Sequence, residues 1–257
     1  MGNVAAFPER ECSVQRRNQK VVEESPSCLL TPETRRLMQQ QAIALCKATG
    51  YRSAGTVEML CDGKQNFYFL EMNTRLQVEH PITEQVSGED LVEHMLWVAS
   101  GKPLPQRLIS NPFIEPKGWA IESRVYAEDP HRGFLPSIGP LITYREPPVY
   151  VTETETVRCD SGVYEGGSIS MYYDPMISKL VTYGIPILLH TIIVLQYYDT
   201  NCMYVCMYVC MYKYCTAQDR KTSIKLMEKA LDQYVISGLG ETFLNFINSY
   251  KFILRKK

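Results

Sequence analysis

Apolar positions recur at helical spacing in three stretches of the chain and fall into short alternating runs elsewhere. The first helical stretch opens on Thr31-Pro32-Glu33, an N-cap residue followed by proline at the first helical position, where its missing N–H costs nothing. Leu37, Ala44, Leu45 and Ala48 are expected to face inward, and Gly50 to end the helix in a left-handed conformation. Residues 56–60 and 66–70 are β-like and are joined across Asp62-Gly63-Lys64, which reads as a hairpin. A second helix is expected over residues 89–100, with Leu91, Met95 and Val98 on one face and Gly101 and Pro103 as its stop. Residues 103–118 are proline-rich and read as a connection between two parts. From Trp119 onward to Gly184, short strands alternate with Gly/Pro turns such as Leu135-Pro136-Ser137-Ile138-Gly139-Pro140. A last helix, over residues 219–235, brings Ile224, Met227, Leu231 and Tyr234 to one face. The most apolar run of the chain, residues 185–195, is broken by His190 and falls short of the roughly 20 residues a membrane-spanning helix needs, so no membrane partner is expected.

Composition narrows this further. The chain has 257 residues, a net charge of −1, 45% hydrophobic and 21% charged residues. That suits one large or two small domains with a buried core, and it excludes a disordered tail. The balanced charge lacks the basic excess of a nucleic-acid surface, so no nucleic-acid partner is expected. The N-terminus has no apolar signal core, and Ala6 stands where an N-myristoylated chain carries Ser or Thr. An intracellular chain is the expectation. Its dense polar opening, Cys12-Ser13-Val14-Gln15-Arg16-Arg17, leads to the further expectation that the domain begins upstream of Met1.

The chemistry concentrates in Glu71-Met72-Asn73-Thr74-Arg75-Leu76-Gln77-Val78-Glu79-His80. Read as an extended segment, it puts Glu71, Asn73, Arg75, Gln77 and Glu79 on one face. A half-solvated edge strand would account for this, but such faces seldom select Asn, Arg, Gln and two Glu over interchangeable Lys, Ser and Thr. Glu71 also has a partner. A hairpin turning at Lys64-Gln65 sets Glu58 opposite Glu71, and two facing carboxylates repel unless a hard cation lies between them. Mg²⁺ suits carboxylate oxygens and commonly adds substrate phosphates, so the pattern predicts a metal–nucleotide site. Arg75 offers a planar fork to an anion, and Glu79 can act as a general base. Lys20 adds a cation from Gln15-Arg16-Arg17-Asn18-Gln19-Lys20, a segment that reads equally well as a solvated basic loop.

The stretch Glu71 to His80, continued by Pro81, resembles the signature of the biotin carboxylases, a family of ATP-grasp enzymes. Gln15-Arg16-Arg17-Asn18-Gln19-Lys20-Val21-Val22-Glu23-Glu24 is similar to a second signature of that family. Glu128-Asp129-Pro130 and Tyr173-Asp174-Pro175-Met176-Ile177-Ser178-Lys179-Leu180 resemble its C-terminal domain. The resemblance covers residues 2–184 and resumes near 219–238. It implies an α+β fold in which residues 1–114 form the C-terminal half of an ATP-grasp domain. Residues 115–248 would form a biotin carboxylase C-terminal domain. The activity implied is phosphorylation of bicarbonate by ATP to carboxyphosphate, which delivers CO₂ to a ureido nitrogen of biotin. Matched residue by residue, Glu58 and Glu71 would hold Mg²⁺ or Mn²⁺ with Asn73 beside them. Lys20, Arg75, Gln77 and Val78 would hold bicarbonate, and Glu79 would remove its proton. Arg75 would stabilise the reacting centre, and Arg124 the biotin enolate. Gln15 and Leu60 would lie near the adenine of ATP. The implied partners are a biotin carrier domain and a carboxyltransferase β subunit, and the implied location is the mitochondrial matrix. Another ATP-grasp ligase, such as a carbamoyl-phosphate synthase, would share the metal carboxylates but not the long signatures.

The sequence also departs from that pattern. It contains neither the glycine-rich lid over the phosphates, nor the upstream ATP-binding lysines, nor the Ala-Met-Lys-Met motif that carries biotin. The expectation is therefore a truncated chain without bicarbonate-dependent ATPase of its own, with at most a partner-binding role. Residues 185–218 interrupt the C-terminal domain, and residues 249–257 form an atypical tail. Four of the nine cysteines, Cys202, Cys206, Cys210 and Cys215, crowd into this interruption. As a zinc site they fail, because successive turns of one helix cannot surround a tetrahedral ion. The repeat Met-Tyr-Val-Cys is what a repeated ATGT tract encodes in triplets, so residues 185–218 read as translated non-coding sequence.

Overall fold

The computed structural model describes residues 2–129, 132–185 and 217–237. The cysteine repeat and the atypical tail fall outside these residues. The chain divides into two compact units. One comprises residues 1–11 and 24–117, the other residues 12–23 and 118–257.

The first unit begins its regular structure with helix α1, Pro32–Thr49. Its start is as the sequence predicts. The Thr31 side chain accepts from the Thr34 N–H at 3.2 Å, and Gly50 closes the helix with φ +64°. The buried face is different. Thr34, Arg35, Gln39 and Ile43 point inward, whereas Leu37 is 51% exposed. The reason is ionic. Arg35 donates to the Glu9 carboxylate from Nε at 2.6 Å and from Nη2 at 2.9 Å, and Gln39 Nε2 donates to the Ile114 carbonyl at 3.0 Å. These bonds turn the polar side of α1 toward the N-terminal segment. Leu37 and Ala44 are left beside Phe67 and Tyr68 on an open groove.

Strands β3, Thr56–Cys61, and β4, Phe67–Asn73, form the expected antiparallel hairpin. Near the turn Cys61 faces Phe67 and Met59 faces Phe69, and beyond a bulge Glu58 faces Glu71. Without that bulge the turn register would have set Glu58 against Leu70. The extra residue in β4 re-aims the carboxylate, as bulges commonly do. Helix α2, His80–Ser87, follows, with Ile82 and Val86 fully buried. Helix α3, Leu91–Ala99, starts on Asp90, whose side chain accepts from the Glu93 N–H at 2.8 Å. A short helix α4, Gln106–Ser110, ends this unit's regular structure.

The second unit is built on a six-stranded sheet. Its strands are β1 (Glu11–Arg16), β2 (Gln19–Ser25), β5 (Trp119–Tyr126), β10 (Tyr150–Val151), β11 (Glu155–Ser161) and β13 (Met176–Gly184). The order is β1-β2-β5-β13-β11-β10, with β5 buried along its whole length. Arg17 and Asn18 join β1 to β2 with φ of 50° and 64°, the positive pair typical of a tight hairpin turn. Short strands make up smaller pairs: β6 (Glu128–Asp129) with β7 (Leu135–Pro136), and β8 (Gly139–Pro140) with β12 (Ser168–Ile169). Helix α5, Ala217–Asp232, packs on the sheet and brings Met227 and Leu231 into a core cluster with Trp119, Ile121 and Leu180, which Tyr234, just past the helix, also joins. The sequence pattern extends this helix to Val235. In the structure Val235 instead opens strand β14, Val235–Ser237, which pairs with β9, Thr143–Arg145.

Candidate functional site

In the first unit the hairpin brings Glu58 and Glu71 face to face, and a single amide mediates between them. Asn73 Nδ2 donates to Glu58 Oε1 and to Glu71 Oε1, each at 3.1 Å. Gln77 Nε2 donates to the same Glu58 oxygen at 2.8 Å. Neutral N–H donors thus relieve the repulsion that a cation would relieve more strongly. Two facing carboxylates, with the Asn73 amide beside them, offer the hard-oxygen chemistry that suits Mg²⁺ or Mn²⁺.

The segment carrying these residues is not extended throughout. Strand β4 ends at Asn73 and the chain turns at Gln77, where the His80 N–H donates to the Gln77 carbonyl at 3.2 Å. The expectation of one polar face from Glu71 to Glu79 is corrected on this point. Pro81 is the physical reason, because proline at the start of a helix favours a turn before α2 over continued strand. The break sorts the side chains by depth. Glu71 and Arg75 are exposed, Asn73 and Val78 half-buried, and Gln77 and Glu79 buried at 6% and 2% exposure. Arg75 spends one donor on the Leu76 carbonyl at 3.2 Å. Leu60, on β3, is 60% exposed.

The second unit carries the remaining candidates. Lys20 lies half-buried on β2, and Gln15 lies exposed on β1, with Nε2 donating to the Cys12 carbonyl at 2.9 Å. Arg124, on the neighbouring strand β5, is buried and donates from Nε to Glu23 Oε1 at 2.6 Å. Glu23 is wholly buried, so the pair is a desolvated ion pair on adjacent strands. Burial pushes the Tyr126 hydroxyl above its ordinary pKa, with a hydrogen bond to Arg124 acting in the opposite direction. Burial likewise pushes up the Glu128 carboxyl, although Arg16 pairs with it.

Two partners are not legible in the sequence. Glu23 sits inside a family signature, yet nothing but the strand pairing reveals that it holds Arg124. Arg10 lies upstream of the signature and reaches Gln77 and Glu79 of the first unit. A separate group, Glu11, Glu24 and Cys28, has ligand atoms within 4.8 Å of one another. There Glu11 Oε2 already accepts from Ser27 Oγ at 2.7 Å.

Comparison with known proteins bears on both units. Residues 1–107 match the family described as carbamoyl-phosphate synthase L chain, ATP binding domain, and residues 122–186 match the biotin carboxylase C-terminal domain. The propionyl-CoA carboxylase alpha chain of Ruegeria pomeroyi is 48% identical over 98% of this chain and 34% of its own length. The mitochondrial propionyl-CoA carboxylase alpha chain of Sus scrofa is 52% identical over 93% of this chain and 27% of its own length. The chain therefore spans about a third or less of these relatives. Among solved structures, the biotin carboxylase domain of a thermophilic 2-oxoglutarate carboxylase bound to bicarbonate superposes with a TM-score of 0.72 and 35% identity. That match covers 96% of this chain and 48% of the other. With long signatures, a matching C-terminal domain and relatives at about half identity, this chain belongs to the biotin carboxylase family of ATP-grasp proteins.

Proposed function

We propose that this chain supplies the metal-, bicarbonate- and biotin-facing part of a biotin carboxylase. The parent enzyme is an α subunit of the propionyl-CoA carboxylase kind in the mitochondrial matrix. It carboxylates biotin with bicarbonate and ATP through carboxyphosphate. Residues 1–114 belong to the ATP-grasp part and residues 115–248 to the C-terminal domain. The observation that carries this reading is the opposition of Glu58 and Glu71, with Asn73 and Gln77 bonded to Glu58.

In this reading Glu58 and Glu71, with Asn73 between them, hold Mg²⁺ or Mn²⁺, which when bound neutralises charge on the phosphates of ATP. Gln15 and Leu60 are each assigned to the adenine by their places in the family pattern. Arg75 is exposed and presents its guanidinium fork to bicarbonate, a planar anion that the fork matches in geometry. Gln77 and the Val78 backbone are assigned to the same anion, and Lys20 is assigned to it by its place in the second family signature. Glu79 accepts the bicarbonate proton, and its burial at the start of α2 keeps competing water away from the transfer. Arg124, fixed by Glu23, stabilises negative charge on biotin. A biotin carrier domain and a carboxyltransferase β subunit are the partners of the whole enzyme.

The test uses the full-length protein that contains this segment. Bicarbonate-dependent ATPase is expected, and Glu79→Gln should lower it by about 10²-fold or more. ATPase that ignores bicarbonate and survives the substitution would overturn the reading.

A further inference from the structure

Arg10 stands apart from the motifs that carry the family resemblance, yet its side chain is 12% exposed and reaches into the first unit's site. Its donors fan out to three side chains. Nη1 donates to Thr83 Oγ1 at 2.9 Å, and Nη2 donates to Thr56 Oγ1 at 2.8 Å and to Gln77 Oε1 at 2.7 Å. Its Nε lies 4.0 Å from Glu79 Oε1. The segment before β1, strand β3 and helix α2 are thus tied to one guanidinium.

Gln77 transmits this arrangement. An amide is asymmetric: its oxygen only accepts, and its nitrogen donates two N–H bonds. With Oε1 taken by Arg10, Nε2 must turn toward Glu58, where it sits 2.8 Å from Oε1. One N–H is spent there, and the second is the donor Gln77 can offer an anion. The flipped amide would set oxygen against the Glu58 carboxylate and present no donor to a substrate. A hydrogen bond from a cation is stronger than one from a neutral group, so Arg10 decides which way the amide faces. Lysine would supply the charge without the fork that spans Thr56, Thr83 and Gln77.

We propose that Arg10 is a positioning residue for bicarbonate, which locks the Gln77 amide with its nitrogen toward the metal carboxylate and the substrate anion. This rests on the reading of Gln77 as part of the bicarbonate site. The experiment is steady-state kinetics of the full-length enzyme, with bicarbonate and ATP varied separately. Arg10→Gln is expected to raise the bicarbonate KM about tenfold or more while the ATP KM stays within about twofold. Gln77→Ala is expected to do the same. In the Gln77→Ala background, Arg10→Gln should add less than about a further twofold, because the route runs through Gln77. Arg10→Lys should give an intermediate bicarbonate KM, and it replaces Arg10→Gln in the same cycle if the neutral variant does not fold. Full additivity of the two substitutions overturns the proposal, as does a fall in kcat with both KM values unchanged. If the unsubstituted enzyme shows no bicarbonate-dependent ATPase, or Glu79→Gln leaves it intact, the functional reading has failed and the proposal falls with it.

Discussion

Glu58 and Glu71 are the residues in which sequence and geometry meet most directly. Counting across the hairpin predicts their opposition, but the register at the turn alone would pair Glu58 with Leu70, and the bulge in β4 is what brings Glu71 opposite it. In the proposed metal site, removing one carboxylate would remove a hard ligand and half the charge. Glu71→Gln in the full-length protein is therefore expected to raise the Mn²⁺ dissociation constant about tenfold or more, measured by electron paramagnetic resonance titration. Glu23 and Arg124 obey different arithmetic. Each is desolvated, so Glu23→Ala removes the carboxylate that balances the buried Arg124 charge, and urea unfolding should show a loss of about 3–5 kcal/mol. Glu89 offers a test by pH. Arg107 donates to it at 2.7 and 2.5 Å, and these bonds, outweighing burial and aided by His94, hold its carboxyl below the usual carboxylate range. A depressed carboxylate contributes stability that is complete above its unfolded pKa and is lost as pH falls through the folded value. Unfolding midpoints compared at neutral and acid pH should therefore lie closer together in Arg107→Ala than in the unsubstituted protein.

At the scale of elements, ends are more legible than faces. Thr31, Pro32 and Gly50 bound α1 because capping depends on the immediate backbone. Thr31→Ala should cost about 1 kcal/mol in denaturant unfolding. The buried face of α1 differs from its apolar pattern because it is chosen by Glu9 and Ile114, which are distant in sequence from the helix. Helix α2 escapes the periodicity because its Glu71–Glu79 approach imitates a strand until Pro81 intervenes. The edge of β5 shows how tightly the second unit is packed. Gly118 has φ +66°, and a Cβ there would lie 2.7 Å from the Gly184 carbonyl. Gly118→Ala combines a disfavoured backbone with a steric clash and should lower stability by about 2 kcal/mol or more.

At the scale of the whole molecule, the candidate residues divide between the two units. Glu58, Glu71, Asn73, Arg75, Gln77 and Glu79 belong to one, and Gln15, Lys20 and Arg124 to the other. The signature carrying Gln15 and Lys20 is a hairpin added to the second unit's sheet, although it precedes most of the first unit in the chain.

The sequence by itself determined the family, the α+β character, the β3–β4 hairpin and the ends of α1. These depend on contiguous motifs, local capping and turn geometry, which a one-dimensional pattern records. Only the tertiary structure decided which face of α1 is buried, that Glu23 holds Arg124, and that Arg10 bonds to Gln77. Those bonds join residues far apart in the chain. They form because buried charges and amides must find partners, wherever along the sequence those partners stand.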